Sequence, residues 1–397
     1  MNLNKTTVKK ILAIISIITG WLCFWFVDGT ISWLFKQAFG FLLVGTGLLF
    51  LIKQKKFKLK KIMILLLAVP SLFFMVNSVT PNPLLATLKN TIPGIKPAQQ
   101  NVWQADYAES NEQGQRLLSN IQYGDKFPNS FLDIYFPANY DKKLGIIVYF
   151  HGGGYMWGDK TTGDPNTGQD KDLVLEKFLQ SGYAVAQVNY ALTPDYSFPT
   201  PAKQANEAVK YLAAHANQYN INMERVIIGG GSAGTNIAGN LVNIITNSDY
   251  AQLLKETPGI DKEKLVAFIS LSGLLDNSRF GHTEGSRLIS YIFYQMGRVY
   301  TNTNDLKANS KAISNSNVIK WATEAFPPTF VSDGNTGTFT DQAIDLHQKL
   351  DKLGIKNQLS TYPKSVAELT HGYETQGNKE GNETLEKMMS FLKDVGK

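Results

Sequence analysis

Three apolar runs crowd the first 78 residues. Ile11 to Val27 holds seventeen residues without a charge, Ile31 to Ile52 twenty-two with only Lys36, and Ile62 to Ser78 another seventeen. Each approaches the length that crosses a bilayer as a helix. Hydrocarbon offers a backbone no hydrogen-bond partner, so such runs fold as helices. A cleaved signal peptide would end in small residues, whereas the first run ends Trp25-Phe26-Val27-Asp28 and two more follow. Asp28-Gly29-Thr30 reads as a tight turn, Gly40, Gly45 and Gly47 permit close helix contact, and Pro70 marks a kink. Trp21, Trp25 and Trp33 suit an interface belt.

Charge assigns a direction to these helices. Residues 1–78 hold ten lysines against the single acid Asp28, a charge of +9, so the other 319 residues carry −3 of the total +6. The positive charge therefore belongs to membrane topology, and a nucleic-acid partner is not expected. Lys5, Lys9 and Lys10 precede the first span, and six lysines from Lys53 to Lys61 lie between the second and third. Both regions read as cytoplasmic, which makes the protein a multi-pass cell-membrane protein with everything beyond about residue 80 outside. The bilayer is thus an expected partner, and residues 1–79 an anchor of three transmembrane helices. Residues 80–110, with prolines at 81, 83, 93 and 97, read as a linker. One cysteine, Cys23, excludes an internal disulfide and any zinc site needing two thiolates.

From residue 111 to 397 short apolar runs alternate with helical ones, the pattern of an α/β domain whose doubly wound, mostly parallel sheet is wrapped by helices. Gly145 to Phe150 and Ala184 to Tyr190 are nearly continuous apolar runs, as strands buried on both faces are. Further strands are expected at Phe131–Phe136, Arg225–Ile228, Leu265–Leu271, Thr329–Ser332 and Gln358–Tyr362. Residues 277–325 interrupt the alternation and read as a lid. Tyr291, Phe293, Tyr294 and Met296 within it are candidates for an acyl pocket or for core packing.

Gly229-Gly230-Gly231-Ser232-Ala233-Gly234 joins a strand to a helix and contains G-x-S-x-G. So tight a turn needs residues without bulk around Ser232, and it exposes the hydroxyl at the sheet edge. The same residues fit G-x-G-x-x-G, but they come late in the sheet and no acid follows the next strand at the spacing a ribose contact wants. His151-Gly152-Gly153-Gly154, eighty residues earlier, lets backbone amides approach a developing oxyanion. Gly153, Gly154 and Ala233 are the expected donors. His371, in a loop after the last strand, is placed to act as a base on Ser232.

Taken together, these residues resemble the hormone-sensitive-lipase-like branch of the α/β-hydrolase fold, which includes acetyl esterases and small carboxylesterases. His151 to Gly154 is similar to its oxyanion motif, and Tyr190 to Pro194 with Phe198-Pro199 to its turn after the next strand. Gly230 to Gly234 matches its elbow, and His371-Gly372-Tyr373 its catalytic histidine. Tyr155 to Lys160 is similar to esterases of the feruloyl and acetyl type. The resemblance implies hydrolysis of a small-molecule or envelope ester through an acyl-enzyme, without metal or cofactor.

The acid departs from the pattern: Gly337 stands where the resemblance places it. Asp333, at the end of the strand Thr329–Ser332, is the first candidate, with Gly334-Asn335 turning its carboxylate towards His371. Asp341, expected to cap a helix, and Asp276 are the others. A hydrolase-fold module that binds without turnover, or an acyltransferase on envelope components, stays open alongside the Ser-His-Asp esterase.

Overall fold

The apolar runs fold as helices in the computed structural model: α1 spans Lys5–Trp25, α2 Trp33–Ile52 and α3 Lys58–Val79. The structure describes all residues except 1–3, 26–32, 53–57, 92–106, 111–113, 141, 161–170, 284, 308–309 and 397. The turn read at Asp28–Thr30, Lys53, Lys55 and Lys56, and half of the linker lie outside the described residues. Two helices, Lys5–Trp25 and Phe35–Ile52, are long and apolar enough to cross a membrane. A Cβ on Gly20 would come within 2.6 Å of Val44, and one on Gly47 within 2.7 Å of the Ala13 carbonyl oxygen. Here the backbones of α1 and α2 touch. Leu12, Leu42, Leu49, Leu66 and Leu72 point outward, each more than half exposed.

The linker holds more order than its prolines suggest. Helix α4 (Asn82–Thr91) leaves α3 at a bend of 110°. Pro83 falls in its first turn, where a missing N–H is tolerated. Leu85 is buried in a cluster with Met156, Trp157, Met296 and Val299.

Among the described residues nine strands form one sheet in the order β1-β2-β3-β5-β4-β6-β7-β8-β9. They are β1 (Tyr107–Ser110), β2 (Arg116–Gln122), β3 (Phe131–Phe136), β4 (Leu144–Phe150), β5 (Ala184–Val188), β6 (Ile221–Gly231), β7 (Leu265–Leu271), β8 (Thr329–Ser332) and β9 (Asn357–Ser360). The three edge strands pair antiparallel, β3 pairs antiparallel with β5, and the other pairings are parallel. On one face α5 (Lys171–Gln180) and α13 (Lys379–Val395) close a core around Phe178, Ile227 and Phe391. The opposite face carries α6 (Thr200–Ala214), α7 (Ala233–Thr246), α8 (Ser248–Leu254) and α12 (Thr340–Lys352) over the larger core. This is the doubly wound sheet that the alternation predicts.

Within 277–325 the chain forms α9 (Arg287–Tyr300), α10 (Lys311–Asn315) and α11 (Val318–Trp321). A stripe of asparagines along α7 fastens the end of this segment. The side-chain amides of Asn236, Asn243 and Asn247 donate to the carbonyls of Ser316, Val318 and Trp321 at 3.0, 3.1 and 3.0 Å.

Candidate active site

The turn from β6 into α7 sets Ser232 at φ 53°, ψ −121°. A non-glycine residue held there costs about 1–3 kcal/mol and persists only when its surroundings enforce it. They do so by closeness. A Cβ on Gly230 would lie 2.4 Å from the carbonyl carbon of Gly234, and one on Gly234 2.1 Å from the Phe150 carbonyl oxygen. The Ser232 N–H donates to the Leu271 carbonyl at 2.9 Å, tying the turn to β7.

His371 follows β9, and Gly372 at φ 76° turns the chain behind it. Its Nε2 lies 2.8 Å from Ser232 Oγ across 139 residues of sequence. The edges of Phe293 and Phe339 flank the ring, at centroid distances of 5.5 and 5.9 Å. Burial here lowers the imidazole pKa to about 4. Gly372 N–H donates to Ser272 Oγ at 2.9 Å, and the Ser272 hydroxyl donates to the buried carboxylate of Glu374 at 2.7 Å. Ser332 Oγ donates to that same carboxylate at 2.5 Å, so Glu374 binds the histidine loop to the ends of β7 and β8.

Asp333 is fully buried near the pair, but the direct carboxylate–imidazole contact is not made. Its Oδ1 accepts from Gly334 N–H at 2.8 Å and from the Thr338 hydroxyl, and its Oδ2 from Phe339 N–H at 3.0 Å. Thr338 Oγ1 in turn lies 2.9 Å from His371 Nδ1. With Asp333 ionised, the one threonine hydrogen goes to it and His371 donates from Nδ1, which leaves the Nε2 lone pair facing Ser232. Burial raises the Asp333 pKa well above the ordinary carboxylate range, opposed first by the Thr338 hydrogen bond. Asn335, expected to help turn the carboxylate towards His371, instead accepts from Leu369 N–H at 3.0 Å and so clips the β8 loop to the histidine loop.

The other two acids face elsewhere. Asp341 opens α12 and accepts from Arg279 at 2.9 Å, while Asp276 accepts from Ser278 N–H at 3.0 Å and from Arg279 at 3.1 Å. Gly337 adopts φ 62°, and a Cβ there would lie 4.0 Å from Ile289 Cγ2. Thr338 was not singled out by the sequence. The signal was the absent acid beside it, which calls for another hydrogen-bond acceptor in the same loop.

Gly153 and Gly154 adopt φ 107° and 58° in the loop after β4, and Ala233 begins α7. Among the described residues none of these three amides has an acceptor in the chain. The start of α7 adds partial positive charge beside the Ala233 amide. A Cβ on Gly153 would meet the Trp157 carbonyl oxygen at 2.2 Å, which explains the glycine. Tyr190 holds the loop from below: its hydroxyl donates to the His151 carbonyl at 2.8 Å and its ring stacks on His151 at 4.3 Å. Of the aromatics in 277–325, Phe293 lies against His371, whereas Tyr294 reaches Asp305 at 3.4 Å. A cavity of about 40 Å³ opens beside Ser232, with His151, Gly152, Ser272 and Glu374 among its walls. Among the described residues no cluster of His, Cys, Asp or Glu is arranged to hold a metal.

Known proteins similar to this chain are many. The carboxylesterase NlhH of Mycobacterium tuberculosis is 20% identical over 240 residues, 60% of this chain and 70% of that protein. An alpha/beta-hydrolase relative from Acanthamoeba polyphaga mimivirus is 24% identical over 243 residues. The chain spans 64% of that viral protein's length, and 29% of a Gibberella moniliformis esterase. Esterase B from Lactobacillus rhamnosis superposes with a TM-score of 0.57 at 18% identity, over 73% of this chain and 88% of that one. LipW from Mycobacterium marinum gives 0.53 at 19% identity, over 79% and 86%. These likenesses establish the α/β-hydrolase fold. The BD-FAE family matches residues 132–350, more than half of the sequence and both ends of the Ser232 turn, and the chain belongs to that family.

Proposed function

We propose that this protein hydrolyses carboxylic esters, with Ser232 as nucleophile, His371 as general base and Asp333 acting on His371 through Thr338. The observation that carries the reading is the 2.8 Å contact between Ser232 Oγ and His371 Nε2 at a strained turn. Esterase activity in the named relatives supports it.

In the first step Ser232 Oγ attacks the ester carbonyl carbon and its proton passes to His371 Nε2. The oxyanion lies among the N–H groups of Gly153, Gly154 and Ala233. The C–O bond breaks, and the alcohol leaves with the proton from His371. Water then attacks the acyl-enzyme, giving its proton to His371, and the acid departs as Ser232 recovers its hydrogen. Throughout, Nδ1–H donates to Thr338, and the hydroxyl of Thr338 passes the polarisation on to Asp333.

A fluorophosphonate probe tests the reading on the full chain. Wild type should be labelled and should turn over p-nitrophenyl acetate; labelling that persists in Ser232→Ala would refute the assignment. The pH profile gives a separate check. His371 works as the unprotonated base, and its pKa is lowered to about 4 from 6.5. Protonation of His371 should therefore cut activity only near 4, whereas Asp333, whose pKa burial raises, must stay ionised to accept from Thr338 and sets any acid limb above that. A His371 imidazole that protonates at its ordinary value by ¹⁵N NMR contradicts a buried base.

Residues 1–79 act in this reading as the anchor, with α3 as a third span, residues 80–110 as the connection, 111–397 as the hydrolase and 277–325 as its lid. The lysine distribution supports an N-terminus in the cytoplasm and a hydrolase outside. Protease added to intact cells should remove the hydrolase; digestion confined to inverted vesicles reverses the orientation.

A further inference from the structure

Helix α9 touches both the catalytic pair and the anchor, and helical spacing separates the two contacts. Phe293 and Met296, three residues apart, turn inward. The Phe293 ring lies against His371, and a Cβ on Gly154 would come within 2.7 Å of the Met296 sulfur. Tyr291 and Arg298 occupy the other side, because two residues turn a helix by about 200°. Tyr291 stacks on Trp25 at the end of α1 with centroids 5.2 Å apart, and meets Phe74 of α3 edge-on at 6.5 Å. Arg298, 1% exposed, donates to the carbonyls of Asn77 at 2.9 Å and Ser78 at 3.0 Å in the last turn of α3. Carbonyls there lack helical partners and carry the negative end of the helix dipole, so a guanidinium buried on them makes a firm joint.

One helix about 10 Å wide therefore separates His371 from the ends of α1 and α3. Those ends carry Trp25, the side chain type that settles at headgroup level. The cavity at Ser232 measures about 40 Å³. That is room for a few water-sized groups, so the bulk of a large ester stays outside it.

We infer that the substrate is a membrane-resident amphiphile bearing a small acyl group: its alkyl body stays in the bilayer beside α1 and α3 while the acyl group enters the cavity at Ser232. This rests on the ester-hydrolase reading above. Ser232 Oγ bonds to the acyl carbon, the ester C–O bond breaks, and the lipid alcohol leaves with the proton held on His371. Water then supplies the hydroxyl of the released acid.

The test uses the full chain in vesicles of ether-linked phosphatidylcholine, which offer no competing ester. A dialkyl-ether glycerol acetylated on its third oxygen is held in the vesicle, triacetin is supplied in water, and acetate release is measured from both. A palmitoyl counterpart of the ether lipid completes the set, and p-nitrophenyl acetate reports the basal hydrolase. The vesicle-held acetate should exceed triacetin in kcat/KM by about 10-fold or more, since partitioning concentrates it at the site. The palmitoyl lipid should react about 10-fold more slowly than the acetyl one, in line with the cavity's size. Equal or faster triacetin hydrolysis overturns the membrane-resident substrate, and equal palmitate release overturns the small acyl group, with p-nitrophenyl acetate turnover intact in both cases. Loss of p-nitrophenyl acetate turnover in the wild type instead removes the hydrolase reading and this inference with it.

Discussion

His371→Ala is expected to lower kcat for p-nitrophenyl acetate by about 10⁶-fold, and adding Ser232→Ala should cost almost nothing more. The two side chains perform one event, a proton leaving oxygen as that oxygen attacks, so either loss removes the whole of it. What survives is the contribution of the Gly153, Gly154 and Ala233 amides and of binding, roughly 10³-fold over water. Folding is the control. His371 sits in a loop fastened independently by Glu374 and Asn335, so His371→Ala should keep the wild-type thermal midpoint within a few degrees. Additive losses in the double variant would mean that the two groups act in different steps, against the 2.8 Å contact between them.

Asp333→Asn should lower kcat by about 10⁴-fold, for a reason specific to the threonine bridge. The backbone amides of Gly334 and Phe339 both donate to the Asp333 carboxylate. An asparagine there has one oxygen for these donors, and its NH₂ must face the remaining partners. Directed at Thr338 Oγ1, the NH₂ drives the threonine hydrogen towards His371 Nδ1. The imidazole then carries its proton on Nε2 and cannot take one from Ser232. Thr338→Val, which deletes the bridge but keeps its shape, should cost about 10²-fold, and Thr338→Ser should restore most of that by returning the hydroxyl. Matched steady-state assays with ¹⁵N NMR of the imidazole check rate and tautomer together. Full activity in Thr338→Val would show that Asp333 acts on His371 by no such bridge.

The fold was legible where burial leaves one pattern. β4 and β5 are covered on both sides, so their sequences are almost unbroken apolar runs, and the Ser232 turn demands glycines that few other structures tolerate. β2 was not legible. Its pairing with β3 slips between Leu118 and Ile121, with Asn120 at φ 57°, which destroys the alternation that marks a strand. α4 was hidden because prolines signal a tether and a helix start alike, and only the tertiary contact of Leu85 decides between them. At the site, Ser232 and His371 declare themselves by type and order. Asp333 was picked from its place at the end of β8, and the structure links it to His371 only through Thr338, a residue that carries no mark of such a contact until the loop has closed 33 residues from the histidine.

The asparagine stripe on α7 bears on how the segment 277–325 can change over generations. Asn236, Asn243 and Asn247 hold main-chain oxygens of residues 316 to 321, so what they recognise is the path of the chain and not the identity of its side groups. Exchange of a side chain at Trp321, half-buried, leaves the amide bond that Asn247 grips in place. Insertion of one residue between Ser316 and Trp321 would put all three out of step together. The helix that starts at Ala233, next to the nucleophile, thus serves as a fixed hem: the stretch between Asn277 and Asn315 can be recut to suit a new alcohol, while its far end stays sewn to the catalytic frame.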